Sequence, residues 1–91
     1  MSHSVKLGWT PSTDTVDGYN IYRGSTAGTE STKINGALVT GSSFTDNSPL
    51  LGNNFYVVKS SLGGVESVVS NEVTTVILPA PPTNLVVVSA S

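Results

Sequence analysis

The sequence predicts an all-β domain, a two-sheet sandwich of short strands. Three observations point there. Apolar residues alternate with polar ones over short runs, the period of a half-buried strand. Clusters of Gly, Pro, Asn and Asp punctuate those runs at roughly ten-residue spacing, as in sandwiches and barrels. Only 11% of the residues are charged, against about 25% in an average soluble protein, so the surface is made of hydroxyl and amide groups. No stretch carries the helical period. At 91 residues the chain makes one domain with a thin core, since a domain this small buries only roughly 60–65% of its unfolded surface. The organisation expected is a body over residues 1–78 and a proline-led segment over 79–91.

Each element follows from local pattern. In "SVKLGW", Val5, Leu7 and Trp9 fall on one face, with Lys6 and Gly8 on the other. "TPSTDTVDG" is a polar turn ending in Asp17-Gly18, a pair that readily supplies positive φ. "YNIYR" sets Tyr19 and Ile21 against Asn20 and Tyr22. "GSTAGTE" is a loop, "STKIN" a short strand and "GALVTG" a turn. "SSFTD" places Phe44 inward. "NSPLLGNN" is a turn whose path Pro49 and Gly52 fix. "FYVVKSS" is the strongest strand, opening on two aromatic and two β-branched residues. A hairpin at Leu62-Gly63-Gly64 leads into "SVVSNEVTTVIL", read as one strand, so that six strands precede the tail.

Composition excludes several function classes. A net charge of −2, with four Lys and Arg in all, cannot form a phosphate-neutralising stripe, so neither nucleic acid nor an anionic membrane surface is an expected partner. The chain has no cysteine, hence no disulfide or thiol chemistry. "MSHSVKLGWT" lacks the apolar centre of a signal peptide, and no stretch approaches the ~20 apolar residues of a membrane span.

"HSVKLGWTPS", "VDGYNIYRG", "TKINGALVTGSSFTDN", "FYVV" and "SNEV" together resemble, in order from His3 to about Leu78, a fibronectin type III domain of the bacterial extracellular type. The resemblance implies an immunoglobulin-like Greek-key sandwich, strands A, B and E facing C, C′, F and G. It also implies a core of Trp9, Tyr19, Ile21, Phe44, Tyr56 and Val58. The family usually carries a tyrosine at its E–F corner. Here Asn54 or Phe55 occupies that area, so the corner's tyrosine hydrogen bond is expected to be absent or replaced. The function implied is non-catalytic: a spacer or interaction module of a secreted or cell-surface multidomain protein. Alternatives are a carbohydrate- or protein-binding module and an engineered scaffold of the same family.

Candidate chemistry is sparse, and no catalytic, cofactor or metal residues are assigned. The single histidine, His3, lies at a terminus of the kind that commonly frays. Asp14 and Asp17 share a loop, but calcium wants six to eight oxygens, so they read as turn residues bonding their own backbone. Asp46 and Glu72 read as solvated charges, and Arg23 and Lys33 as partners for acids across strands. Tyr22, outward on its strand, is the candidate surface contact for a sugar or a protein, against the plainer reading of cross-strand packing.

The tail "PAPPTNLVVVSAS" matches the family's strand A, with prolines before an Asn-Leu strand and a small-residue exit, whereas "HSVKLGW" is the strand that should follow it. Leu85 and Val87 share one face and Val86 and Val88 the other, and "LVVVSA" has the composition of an aggregation-prone window. Three placements are open. The tail is idle or lies along strand G; it folds into its own A slot; or it is donated to a neighbouring copy, giving a swapped dimer or a head-to-tail filament through residues 79–91. The link Pro79–Pro82 reaches about 14 Å, too little to carry a ~20 Å strand back to the far pole of its own sandwich in the usual direction.

Overall fold

A computed structural model describes residues 3–91. Seven strands and no helix form among these residues: β1 (Val5–Gly8), β2 (Gly18–Gly24), β3 (Thr32–Lys33), β4 (Ser43–Asp46), β5 (Gly52–Leu62), β6 (Val65–Glu66) and β7 (Val73–Ile77). They divide into two antiparallel sheets, an all-β sandwich. One is the pair β1–β4, in register from Val5 opposite Asp46 to Gly8 opposite Ser43. In the other, β5 is central, with β2 and then β3 on one side and both β6 and β7 on the other. β5 is long enough, at 11 residues, to pair β7 along its first half and β6 at its end.

The last strand is therefore interrupted, unlike the single run read from the sequence. Ser67 N–H donates to the Ser60 carbonyl and Ser70 N–H to the Val58 carbonyl, while Ser60 N–H and Val58 N–H donate to the Ser67 and Ser70 hydroxyls at 3.0 and 2.9 Å. Three chain steps on one strand thus face two on β5, a bulge. Serine allows it because its hydroxyl replaces a ladder carbonyl as acceptor.

The Leu62–Val65 turn is a tight hairpin: Gly63 and Gly64 have φ of 60° and 82°, the two positive angles a type I′ turn requires. Asp17 accepts a hydrogen bond from Gly63 N–H at 2.8 Å, tying this hairpin to the start of β2. Gly18 does not supply positive φ, contrary to the sequence reading. Its reason is close approach: a Cβ there would lie 2.9 Å from the Val39 carbonyl oxygen and 3.0 Å from Leu38 Cβ. That proximity lets Tyr19 and Val39 exchange backbone hydrogen bonds at 2.8 and 3.0 Å.

Beside β2, buried Asn35 substitutes for a strand partner. Its Oδ1 accepts from Ile21 N–H at 2.8 Å and its Nδ2 donates to Asn20 Oδ1 and the Ala37 carbonyl at 2.9 and 3.0 Å. The corner before β5 is closed in the same way, by Asn54 rather than by tyrosine. Asn54 is fully buried. Its Oδ1 accepts from Leu50 N–H at 2.9 Å, and its Nδ2 donates to the Leu50 and Gly52 carbonyls at 2.8 and 3.2 Å.

Tyr19, Ile21, Tyr56 and Val57 form the fully buried apolar core among the described residues. The Trp9 ring meets Tyr19 edge-on, centroids 5.4 Å apart. Trp9, Phe44 and Val58, expected in the core, are only half-buried, as are Val5 and Leu7. The reason is architectural: a two-stranded sheet does not cover a five-stranded one. Val57, opposite Tyr22 in the central strand, is buried although not expected in the core.

The tail forms no strand, and residues 78–91 are exposed. Asn84 takes a left-handed φ of 59°, a conformation asparagine tolerates better than most residues. The extended tail explains a radius of gyration of 17.9 Å and a longest extent of 70 Å, where a compact domain of this length would have a radius near 12 Å.

Candidate functional site

Four places draw attention, three of them polar. Asp46 is not a solvated charge. It ends β4 in one sheet and takes a 2.9 Å ion pair from Arg23 of β2 in the other. The same Oδ2 accepts from the Tyr56 hydroxyl at 2.8 Å, and Oδ1 accepts from Ser48 N–H at 3.0 Å. Burial pushes the Asp46 carboxyl up, but the Ser48, Arg23 and Tyr56 hydrogen bonds outweigh it and hold the group below its ordinary value. Burial and the bond to Asp46 together push the Tyr56 hydroxyl well up. Arg23 also donates to the Ser48 carbonyl at 2.9 Å, so this node fastens one sheet to the other. Its oxygens are occupied, which suits a tether rather than a catalytic group.

Tyr22 lies on the outer face of the larger sheet, half-buried. Its hydroxyl donates to Glu66 Oε2 at 2.6 Å, Asn20 Nδ2 donates to the same oxygen at 2.8 Å, and Lys59 Nζ stands 4.9 Å from its ring centroid. The Glu66 hydrogen bond raises the Tyr22 pKa, and the bonds from Tyr22 and Asn20 lower that of Glu66. Both the hydroxyl and one ring face are already used, the arrangement of cross-strand packing.

Glu30 and Glu72, far apart in the chain, form a carboxyl pair that no local pattern announces. Glu72 Oε2 accepts from Gly28 N–H at 2.8 Å, and Glu30 Oε2 is enclosed without a donor. Burial, then the shared hydrogen bond and the charge of Glu72, raise the Glu30 pKa, while that bond lowers Glu72. A group whose folded pKa is raised favours folding at low pH and loses that contribution as pH rises through the folded value. Glu30→Gln, whose amide donates to Glu72 at any pH, is therefore expected to raise the melting temperature at pH 7 and leave it little changed near pH 4. Thermal scans at both values check this.

The fourth place is an opening beside β1. β1 pairs β4 on one edge, and its other edge has no partner among the described residues. Between that edge and the second sheet lie two adjoining cavities, of about 360 and 150 Å³. Leu7, Trp9, Val58 and Val73 give the first its apolar walls, and Trp9, Ser67 and Val68 line the second. No charged residue lines either one. The walls also set direction. Leu7 and Val73 line only the first cavity, Ser12 and Ser67 only the second, and Trp9 and Ser70 border both, so β1 and the last strand run antiparallel across the groove.

The tail's apolar row is not in this groove. Leu85, Val86, Val87 and Val88 are 69–97% exposed. The sequence pattern identified the tail as a candidate strand. The groove it could not show, because that arises from how two sheets of unequal width meet.

Comparison with protein-family models finds none that matches, and neither the curated proteins nor the solved structures yield a match. The class that the fold defines is an all-β sandwich compatible with the immunoglobulin-like architecture.

Proposed function

We propose that the chain is a non-catalytic module of the fibronectin type III kind, serving as a spacer in a bacterial extracellular multidomain protein such as a polysaccharide-degrading enzyme or a surface protein. The observation that carries this reading is the pairing order: β1 with β4 in one sheet, and β3, β2, β5 and β7 in succession in the other. That is the order of strands B and E facing C′, C, F and G. The low charge and hydroxyl-rich surface suit a module that holds other domains apart. The fixed polar contacts of Tyr22 favour spacing over recognition through that face.

Three copies fused end to end, measured by small-angle X-ray scattering, test it. Each copy should add about 35–40 Å, the length of the 11-residue β5 at ~3.4 Å per residue. Collapse of the fusion into a globule overturns the spacer reading. Retention of the single chain in a polysaccharide pull-down, lost on Tyr22→Ala, replaces it with the binding reading.

A further inference from the structure

We propose that the tail of one copy, residues 79–91, docks on the free edge of β1 in a second copy, with Leu85–Val88 as the added β-strand filling the groove beside Trp9. This deepens the module reading and rests on it.

Donor and acceptor are matched in chemistry. From Val73 to Ser91 the chain has no charged residue, and neither has the lining of the groove. The donor row Leu85–Val88 is exposed to solvent, an apolar stretch that water disfavours. On the acceptor, Val5, Leu7, Trp9 and Val58 are only half-buried, and β1 presents a row of unpaired backbone groups, a template for another strand. In a docked strand, alternation sends one of the pairs Leu85/Val87 and Val86/Val88 into the groove and leaves the other on the outer face, beside Lys6 and Gly8. Docking requires Asn84 to leave its left-handed conformation, which costs little for an exposed asparagine.

Chain direction selects a second copy. β7 runs antiparallel to β1, so the chain leaves β7 at the pole where β1 begins. A strand antiparallel to β1, as β4 is, must start at the opposite pole. The stretch from Val5 to Ser12 along the groove spans about 27 Å at ~3.4 Å per residue, whereas residues 78–84, which join the end of β7 to Leu85, reach about 25 Å only when fully extended, leaving no length for the chain to turn round at the far pole. A reversal within the link, placing the tail parallel to β1 in its own molecule, is opposed by Pro79, Pro81 and Pro82, whose fixed φ favours an extended path. In a second copy set in line with the first, the tail arrives at the correct pole already in the correct direction. The contact is β-strand addition. Being head-to-tail, it propagates into an open filament unless the rotation closes a ring.

The test compares the full chain with Val87→Pro, a change in the exposed tail that leaves the body untouched. Sedimentation velocity from micromolar to millimolar concentration should show the mass of the full chain at least doubling, while Val87→Pro stays at the single-chain mass. Because the protein has no cysteine, a chain carrying Lys6→Cys can be mixed with one carrying Val87→Cys or with one carrying Val88→Cys. Oxidation should give the mixed disulfide, in whichever of these sets the tail cysteine on the outer face, in several-fold higher yield than in mixtures of the same tail variants with Ser25→Cys. A full chain that stays monomeric at millimolar concentration overturns the proposal, as does equal association of Val87→Pro or equal disulfide yield at Ser25. Far- and near-ultraviolet circular dichroism separates the two levels. A folded β domain that is monomeric removes only strand donation, whereas a chain lacking β structure removes the module reading as well.

Discussion

Replacing Asp46 with alanine is expected to destabilise the domain by about 3–5 kcal/mol, the usual cost of removing one partner of a buried ion pair. At about 4–8 °C per kcal/mol for a domain of this size, the melting temperature falls by some tens of degrees. The cost comes from what is left behind. Arg23, whose side chain is 15% exposed, keeps its charge but loses the carboxylate between the sheets. The Tyr56 hydroxyl and the Ser48 N–H lose their acceptor in the same step, and a buried donor without a partner costs about 1–3 kcal/mol. Tyr56→Phe removes one hydrogen bond and leaves the ion pair, so it should cost only about 1–2 kcal/mol.

Acid provides an independent reading of the same node. Because the folded-state pKa of Asp46 is depressed below its unfolded value of about 3.9, its contribution is fully present above that value and disappears as pH falls through the folded one. Denaturant titrations from pH 7 down to pH 2 should show the native protein losing stability below about pH 4. The Asp46→Ala protein, already without the contribution, should give a flatter profile there. Parallel profiles for the two proteins would show that the carboxylate is not what acid titrates.

The difference between Asp46 and its sequence reading is instructive. Strand alternation identifies which residues share a face, and it sets Tyr19 and Ile21 together where the structure buries them, while Tyr56 is expected there only from the family resemblance. It does not say which strand of the other sheet lies opposite. Asp46 ends a strand next to Asn47 and Ser48, the local signature of an exposed turn, and only the approach of β2 from the second sheet encloses it. Gly18 is similar: next to Asp17 it suggests a turn conformation, yet the constraint is the Val39 carbonyl, 21 residues away in the sequence. The Glu30–Glu72 pair and the groove beside β1 are equally non-local. The reading of the tail is local instead. It rests on the tail's own composition, prolines followed by an uncharged apolar run, and in the structure that run is exposed and forms no strand.

The corner before β5 is where one residue does what the family resemblance assigns to another. Asn54→Ala is expected to cost about 2–4 kcal/mol, since it removes three hydrogen bonds from a fully buried side chain and leaves the part-buried Leu50 N–H and two carbonyls with no side-chain partner. The side chain holds a loop that has no ladder of its own: Leu50 is bonded at both its N–H and its carbonyl, and Gly52 turns the chain at φ 90°. Asn54→Asp should be at least as damaging although its shape is nearly unchanged. It retains the acceptor for Leu50 N–H but sets a carboxylate oxygen where the amide donated to two carbonyls. The carboxylate must then protonate or break the corner, so the damage should ease toward low pH while that of Asn54→Ala does not. Chemical denaturation of both variants at pH 7 and pH 4 reads this difference. If Asn54→Ala costs less than about 1 kcal/mol, the backbone of the turn holds the corner by itself and the asparagine merely fits a space already made.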